Sequence, residues 1–127
     1  MRSRERTTAR VLAPASFLLV IALALAGCSA GSSAATKDVS VTGCSGGAQQ
    51  RPAASGTIVN RSSKVSSYAI RIAFEDAGGN RVTEGADTVV RVSPGHSATW
   101  STSGVSSAKG DLHCRVASVA RVALPGG

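Results

Sequence analysis

From Ser67 to Asp76 the chain alternates with period two: Tyr68, Ile70, Ile72 and Phe74 fall on one face of an extended strand, and Ala69, Arg71, Ala73 and Glu75 on the other. Successive side chains of a strand point to opposite sides of its sheet, so one face packs and the other meets water. Helical spacing would mix the two sets. Shorter alternating runs occupy Asp38 to Thr42, Ser55 to Asn60, Arg81 to Thr83, Thr88 to Val92, Ala98 to Ser101 around Trp100, and Leu112 to Val122. The last run keeps Leu112, Cys114 and Val116 in phase and then loses its alternation near Ser118 and Val119, where a bulge is expected. Turn residues separate the runs. Gly46-Gly47 reads as a turn leaving the first strand, and Asp76-Ala77-Gly78-Gly79-Asn80 as a hairpin turn whose two glycines accept positive φ. Ser93-Pro94-Gly95-His96 has Pro then Gly at the central positions of a type II turn, and Gly104 to Gly110 forms a loop. About seven strands between residues 38 and 124 predict an all-β fold, a small two-sheet β-sandwich with no internal repeat.

The amino-terminal segment obeys different rules. Arg2, Arg4, Arg6 and Arg10, opposed by Glu5, precede a charge-free run from Val11 to Ala26. A basic segment followed by a short apolar one is the pattern of an export signal. The run has 16 residues, against the roughly 20 needed to span a bilayer core, so a transmembrane anchor is the weaker reading. No adjacent arginine pair precedes it, which favours the general secretory route.

Leu25-Ala26-Gly27-Cys28 closes the run and resembles the lipobox of bacterial lipoproteins at all four positions. The resemblance implies that residues 1–27 are a signal peptide removed just before Cys28, and that the Cys28 thiol receives a diacylglyceryl group. The mature protein is then expected to be held on the extracytoplasmic face of the cell membrane without a spanning helix. Two acyl chains suffice for that, at about 0.8 kcal/mol per buried methylene. The alternative is an ordinary secreted protein with an incidental Cys28. Ser29 to Lys37 is small and polar with neither periodicity, so 28–37 reads as a lipidated cysteine and flexible tether ahead of a domain at 38–124.

Charge and cysteine count change meaning once that segment is set aside. The whole chain of 127 residues carries 14 Lys and Arg against 7 Asp and Glu, but removing 1–27 leaves ten basic and six acidic residues. They are scattered and not interleaved with aromatics, so no nucleic-acid platform is expected. With Cys28 assigned to lipid, Cys44 and Cys114 remain as an even pair in an oxidising compartment, and a disulfide is the expected outcome. A domain with three mature aromatics, Tyr68, Phe74 and Trp100, needs such a staple.

From Gly56 to about Val122 the chain also resembles the FxLYD domain, a small envelope domain common in bacterial lipoproteins. The resemblance rests on Gly56 and Asn60 as a Gly-x-x-x-Asn opening, the alternating strand into Asp76-x-Gly78-Gly79-Asn80, and Pro94-Gly95 ahead of a run containing an aromatic. Ile72, Phe74 and Glu75 stand at the F, L and Y places of the name-giving motif, and Asp76 matches its last position. The placement of Cys44 and Cys114 is similar to that in actinobacterial lipoproteins. The family implies an immunoglobulin-like β-sandwich and supplies no catalytic residues.

Gly43-Cys44-Ser45-Gly46-Gly47, with His96 or His113 as base, has the look of a nucleophile loop, yet a reactive Cys44 would orphan Cys114. A metal site from His96, His113 and Cys114 is opposed by the adjacency of His113 and Cys114, which sends them to opposite faces. Asn60-Arg61-Ser62 matches a glycosylation sequon by chance in a bacterial lipoprotein. No catalytic residues, metal or cofactor are therefore expected. The expected function is a lipid-anchored, non-catalytic binding or accessory module, attached to the membrane through Cys28 and presenting its loops to an envelope protein or wall polymer. Gly78, Gly79, Pro94, Gly95 and His96 are the candidate binding positions. The alternative is a lipoprotein that carries a small molecule or metal, which would require a buried pocket with convergent polar groups.

Overall fold

The structure, a computed structural model, describes residues 33–106 and 109–126. The expected signal segment, Cys28 and the tether up to residue 32 lie outside the described residues. One helical turn, α1 (Ser33–Thr36), precedes six strands: β1 (Val39–Gly47), β2 (Gln50–Val59), β3 (Ser66–Glu75), β4 (Arg81–Val92), β5 (Ser97–Ser103) and β6 (His113–Ala123). They form two antiparallel three-stranded sheets, ordered β1-β2-β5 and β4-β3-β6, packed as a β-sandwich.

The strands number six rather than the seven expected, because 81–83 and 88–92 belong to one strand. Glu84-Gly85-Ala86-Asp87 has the composition of a turn, but here it is a seam. Gly85 lies so close to β5 that a Cβ on it would sit 2.6 Å from Thr102 Oγ1. Thr102 Oγ1 donates to the Ala86 carbonyl at 2.9 Å, and Asp87 Oδ2 accepts the Ser101 amide at 3.0 Å. One amide of the β5 edge is thus satisfied by the other sheet, and a side chain of β5 bonds a β4 carbonyl across the seam. At the start of the chain, Gly46 and Gly47 end β1 rather than form the turn. The reversal is made by Ala48 and Gln49, with φ of 47° and 69°. Both turn residues are left-handed, as a type I′ hairpin requires, without the Asn-Gly signature that would have announced it.

Of the two glycines expected at positive φ in the β3–β4 turn only Gly79 takes it, and Ala73, expected on the wet face of β3, is fully buried; other expectations stand. Tyr68, Ile70, Ile72 and Phe74 are all buried and meet Ile58, Trp100, Val119 and Val92 between the sheets. Burial of such side chains contributes about 1.5–3 kcal/mol each. The bulge in β6 falls at Ala117, between Val116 opposite Ile72 and Ser118 opposite Arg71. Gly79 and Gly95 have φ of 78° and 75°, and the His96 amide donates to the Ser93 carbonyl at 3.0 Å, closing the type II turn.

At one end of the sandwich, Asn60 is fully buried and ties together two connections, the β2–β3 loop and the β4–β5 turn. Its Nδ2 donates to the carbonyls of Lys64 and Val92 at 2.8 and 2.7 Å, and its Oδ1 accepts the Ser62 amide at 2.9 Å. Its backbone exchanges hydrogen bonds with Gly95 and His96. An amide so engaged is closed to glycosylation.

The remaining seam joins β1 to β6, and it is fastened at both ends. Near the end that carries the β1–β2 and β3–β4 turns, Cys44 and Cys114 form the expected disulfide, with Cα atoms 5.7 Å apart. At the opposite end Asp38, buried just before β1, accepts hydrogen bonds at 2.7 Å from both Tyr68 Oη and Arg121 Nη1 on its Oδ2. The Asp38 amide in turn donates to the Ala35 carbonyl at 3.1 Å, and Ala35 is 1% exposed. The folded body therefore includes α1, ahead of residue 38: the last residues assigned to a free tether are docked against the sandwich.

Two outcomes follow from these fastenings. The disulfide closes a 70-residue separation, for which chain entropy gives roughly 4 kcal/mol. Thermal unfolding of the Cys44→Ala, Cys114→Ala variant is expected to fall by at least 10 °C, at about 4–8 °C per kcal/mol for a domain of this size; a melting point equal to the parent's would contradict this. Burial and the neighbouring Asp38 carboxylate push the Tyr68 hydroxyl up to about 12. With the folded value raised to about 12 from an ordinary value of about 10, the stability held by this group is complete below the ordinary value and is lost as pH rises from there through the folded one. Tyr68 is the chain's one tyrosine, so its ultraviolet titration is expected to centre near the alkaline unfolding midpoint, well above pH 10. A folded protein titrating at the ordinary tyrosine value would refute the cluster.

Candidate functional site

The outer face of the β1-β2-β5 sheet carries a regular arrangement of hydroxyls. Alternate residues of each strand project there, and the register sets them in rungs across the three strands. Thr57 pairs with Ser40 and Thr99, Ser55 with Gly43 and Ser101, and Ala53 with Ser45 and Ser103. Ser40 Oγ and Thr57 Oγ1 are hydrogen-bonded at 2.8 Å. The other hydroxyls of the rungs are exposed or half-buried. Period two puts Ser97, Thr99, Ser101 and Ser103 on this face while Ala98, Trp100 and Thr102 turn inward.

Two adjoining open depressions are lined by these positions. The larger, about 790 Å³, involves Gly43, Ser45, Ala53, Ser55, Ser101 and Ser103, together with Ala86 of β4. The smaller, about 360 Å³, involves Thr42, Ser55, Thr57, Thr99 and Ser101 with Asp87 beside them. The sheet is thin there for a steric reason. Gly56 on β2 lies over the Trp100 indole, and a Cβ at that position would approach Trp100 Cζ2 to 2.6 Å and the Ser40 carbonyl more closely still. The first position of the Gly-x-x-x-Asn pattern is a point of close approach, and the second is the loop-organising Asn60. Trp100 Nε1 is buried and has no hydrogen-bond partner among the described residues.

The chemistry of this face is that of neutral hydrogen bonding. Hydroxyls of Ser and Thr donate and accept, and small methyl and methylene surfaces lie between them. Asp87, the one carboxylate at the margin, is occupied with the amides of Ser101 and Thr88.

The candidate loops are not brought together. Gly78 and Gly79 lie in the β3–β4 turn at the disulfide end, where the Asp76 carboxylate accepts the amides of Gly78 and Asn80, both at 2.9 Å. Those backbone donors, that of Asn80 first, hold Asp76 below the usual carboxylate range. Pro94, Gly95 and His96 lie in the β4–β5 turn at the opposite end, beside Asn60. His96 is exposed, with Nδ1 3.1 Å from the Pro94 carbonyl. His113 starts β6 at the disulfide end opposite Glu75, whose carboxyl is held low by the Arg115 guanidinium at 2.6 Å. The two histidines are thus a strand length apart, Cys44 and Cys114 are bonded to each other, and no group of three metal-ligating side chains occurs among the described residues. The geometry gives no support to the nucleophile-loop and metal readings.

The hydroxyl face was missed in the sequence because Ser, Thr, Ala and Gly suggest turns and linkers. Its signal is the alternation Ser97, Thr99, Ser101, Ser103, which repeats with the period of a strand. No protein-family model matches the chain, and no curated protein or solved structure matches it either.

Proposed function

We propose that this chain is a lipid-anchored extracytoplasmic module that acts by binding, with no catalytic chemistry of its own. In this reading it is exported by the general secretory route, cut before Cys28, acylated there, and engages an envelope protein or wall polymer through the hydroxyl face of the β1-β2-β5 sheet. The resemblance to lipoproteins and to the FxLYD domain belongs to this same reading. The observation that carries it is the face itself: rungs of neutral hydroxyls over an open depression of about 790 Å³ suit a partner of low charge that is bound through many weak hydrogen bonds. A general base or activated nucleophile needs a perturbed titratable group with an orienting neighbour, and the positions lining the larger depression bear hydroxyl, methyl, glycine and disulfide groups instead. An open, shallow surface also favours the binding module over a carrier, which would enclose its ligand.

Mass spectrometry of membrane-extracted protein is expected to give Cys28 as the first residue, with a diacylglyceryl group; an unmodified Cys28 or a terminus elsewhere would defeat the anchor. For the face, a photo-crosslinking side chain at Thr99 is expected to give a discrete adduct in the native envelope, and one at Arg71 on the opposite sheet none. Ser55→Arg with Ser101→Arg should reduce that adduct by about tenfold or more without lowering the melting point, at ~1.4 kcal/mol per decade of affinity. Loss of function on His96→Ala with the fold intact would move the site from the hydroxyl face to the β4–β5 turn, and turnover of a substrate would overturn the binding reading.

A further inference from the structure

The charge of the mature chain is unevenly divided between the two ends of the sandwich. Lys37, Arg61, Lys64, Arg91 and Arg121 all lie at the end where α1 meets β1, against the single acid Asp38. The five remaining cations are matched by five carboxylates. The whole side-chain excess of four positive charges therefore sits at the end facing Cys28. Asp38 is 1% exposed and already bound by Arg121, with Arg61 3.9 Å away, so it does not offset the cations at the surface. Lys37, Lys64 and Arg91 are exposed and make no ion pair among the described residues.

Two apolar side chains accompany them. Val90 and Val122 are 66% and 62% exposed on the outer face of the β4-β3-β6 sheet. Val122 stands opposite Ser67 in the register, and on the other side of Ser67 the β4 bulge brings the Arg91 amide to 3.5 Å from Ser67 Oγ. Arg91 is left-handed there, with φ of 57°. That conformation is costly for a residue with a Cβ and is retained where something depends on it. Here it accompanies the outward placement of Val90 and Arg91 at the edge of the sheet.

The distance to a membrane is set by the chain. Because Ala35 is buried and Ser33–Thr36 is folded against the domain, only residues 28–32 separate the helical turn from the lipidated cysteine. However they are arranged, five residues span at most about 18 Å. This keeps the basic end within a few Debye lengths of the surface, each roughly 8 Å at physiological salt. A cation-rich surface with exposed aliphatic side chains, held that close, is complementary to phosphate headgroups above an apolar interior.

We propose that the α1 end of the sandwich, with Lys37, Lys64, Arg91, Val90 and Val122, docks on an anionic phospholipid surface and so fixes the orientation of the hydroxyl face. The proposal rests on the lipid-anchor reading for its proximity, and the two are separable by experiment. Acylated protein extracted from membranes is placed on vesicles of phosphatidylcholine alone or mixed with phosphatidylglycerol. Flotation with phosphatidylcholine vesicles reads the anchor, and amide hydrogen exchange at 61–65, 90–92 and 122–124 reads the docking. Exchange there is expected to slow by about tenfold on the anionic vesicles only, consistent with a factor of roughly five per basic residue at such a surface. High salt and the Lys37→Glu, Lys64→Glu, Arg91→Glu variant should each remove the protection with the melting point unchanged, while Lys109→Glu at the other end should not. Flotation without lipid-dependent protection would overturn docking and leave the anchor standing. Salt-sensitive protection without flotation on phosphatidylcholine would do the reverse. Equal protection by free poly(glycerol phosphate) would overturn the lipid in favour of an anionic polymer.

Discussion

The junction between β1 and β6 is the constraint on which the rest of this fold depends. Two three-stranded sheets with three aromatic side chains between them bury too little to be held by packing alone, and β1 is an edge strand whose only ladder is to β2. The Cys44–Cys114 bond closes the junction at one end, and the Asp38 carboxylate, shared by Tyr68 and Arg121, closes it at the other. The second fastening serves two purposes, because Asp38 lies one residue beyond α1 and its amide donates to the Ala35 carbonyl. The same residue that joins the sheets fixes which end of the sandwich carries α1, the end that would lie nearest the membrane in the proposed lipid-anchor reading.

The opposite seam solves a different problem. β4 and β5 belong to different sheets and are drawn together by Gly85, which leaves room for Thr102, and by Asp87, which accepts an amide of the β5 edge. The outward hydroxyls of the β1-β2-β5 sheet lie on the face away from this seam, with Ser40 and Thr57 hydrogen-bonded to each other. The sandwich thus has three differentiated regions: a disulfide end, a basic end and a neutral face running between them.

How much of this could be read in the sequence depends on which physical signal each element leaves. β3 was legible because four large apolar residues repeat with period two, and the disulfide because two cysteines remain after Cys28 is assigned. The Pro94-Gly95 turn was legible because its residues are demanded by its dihedral angles. The β1–β2 hairpin was not, since Ala48 and Gln49 carry no turn signature and adopt positive φ under the pull of the ladder around them. The continuity of β4 through Glu84 to Asp87 was not legible either, since the alternation is interrupted there and Gly85 marks a close approach to β5 that leaves no pattern in the sequence. The hydroxyl face and the division of charge depend on register and strand direction, which set side chains from distant segments together and leave only a faint alternation in any one of them.

Hydrogen exchange on the oxidised and the thiol-reduced protein tests the β1–β6 junction most directly. On reduction, the amides of β1 that pair with β2, from Val39 to Ser45, are expected to exchange about tenfold faster or more, while those of β3, bonded on both sides to β4 and β6, keep their protection. Unchanged exchange in β1 would contradict the account, because the disulfide would then not be what holds that strand, and an equal loss in β1 and β3 would contradict it as well, because the bond would then hold the whole fold and not the junction.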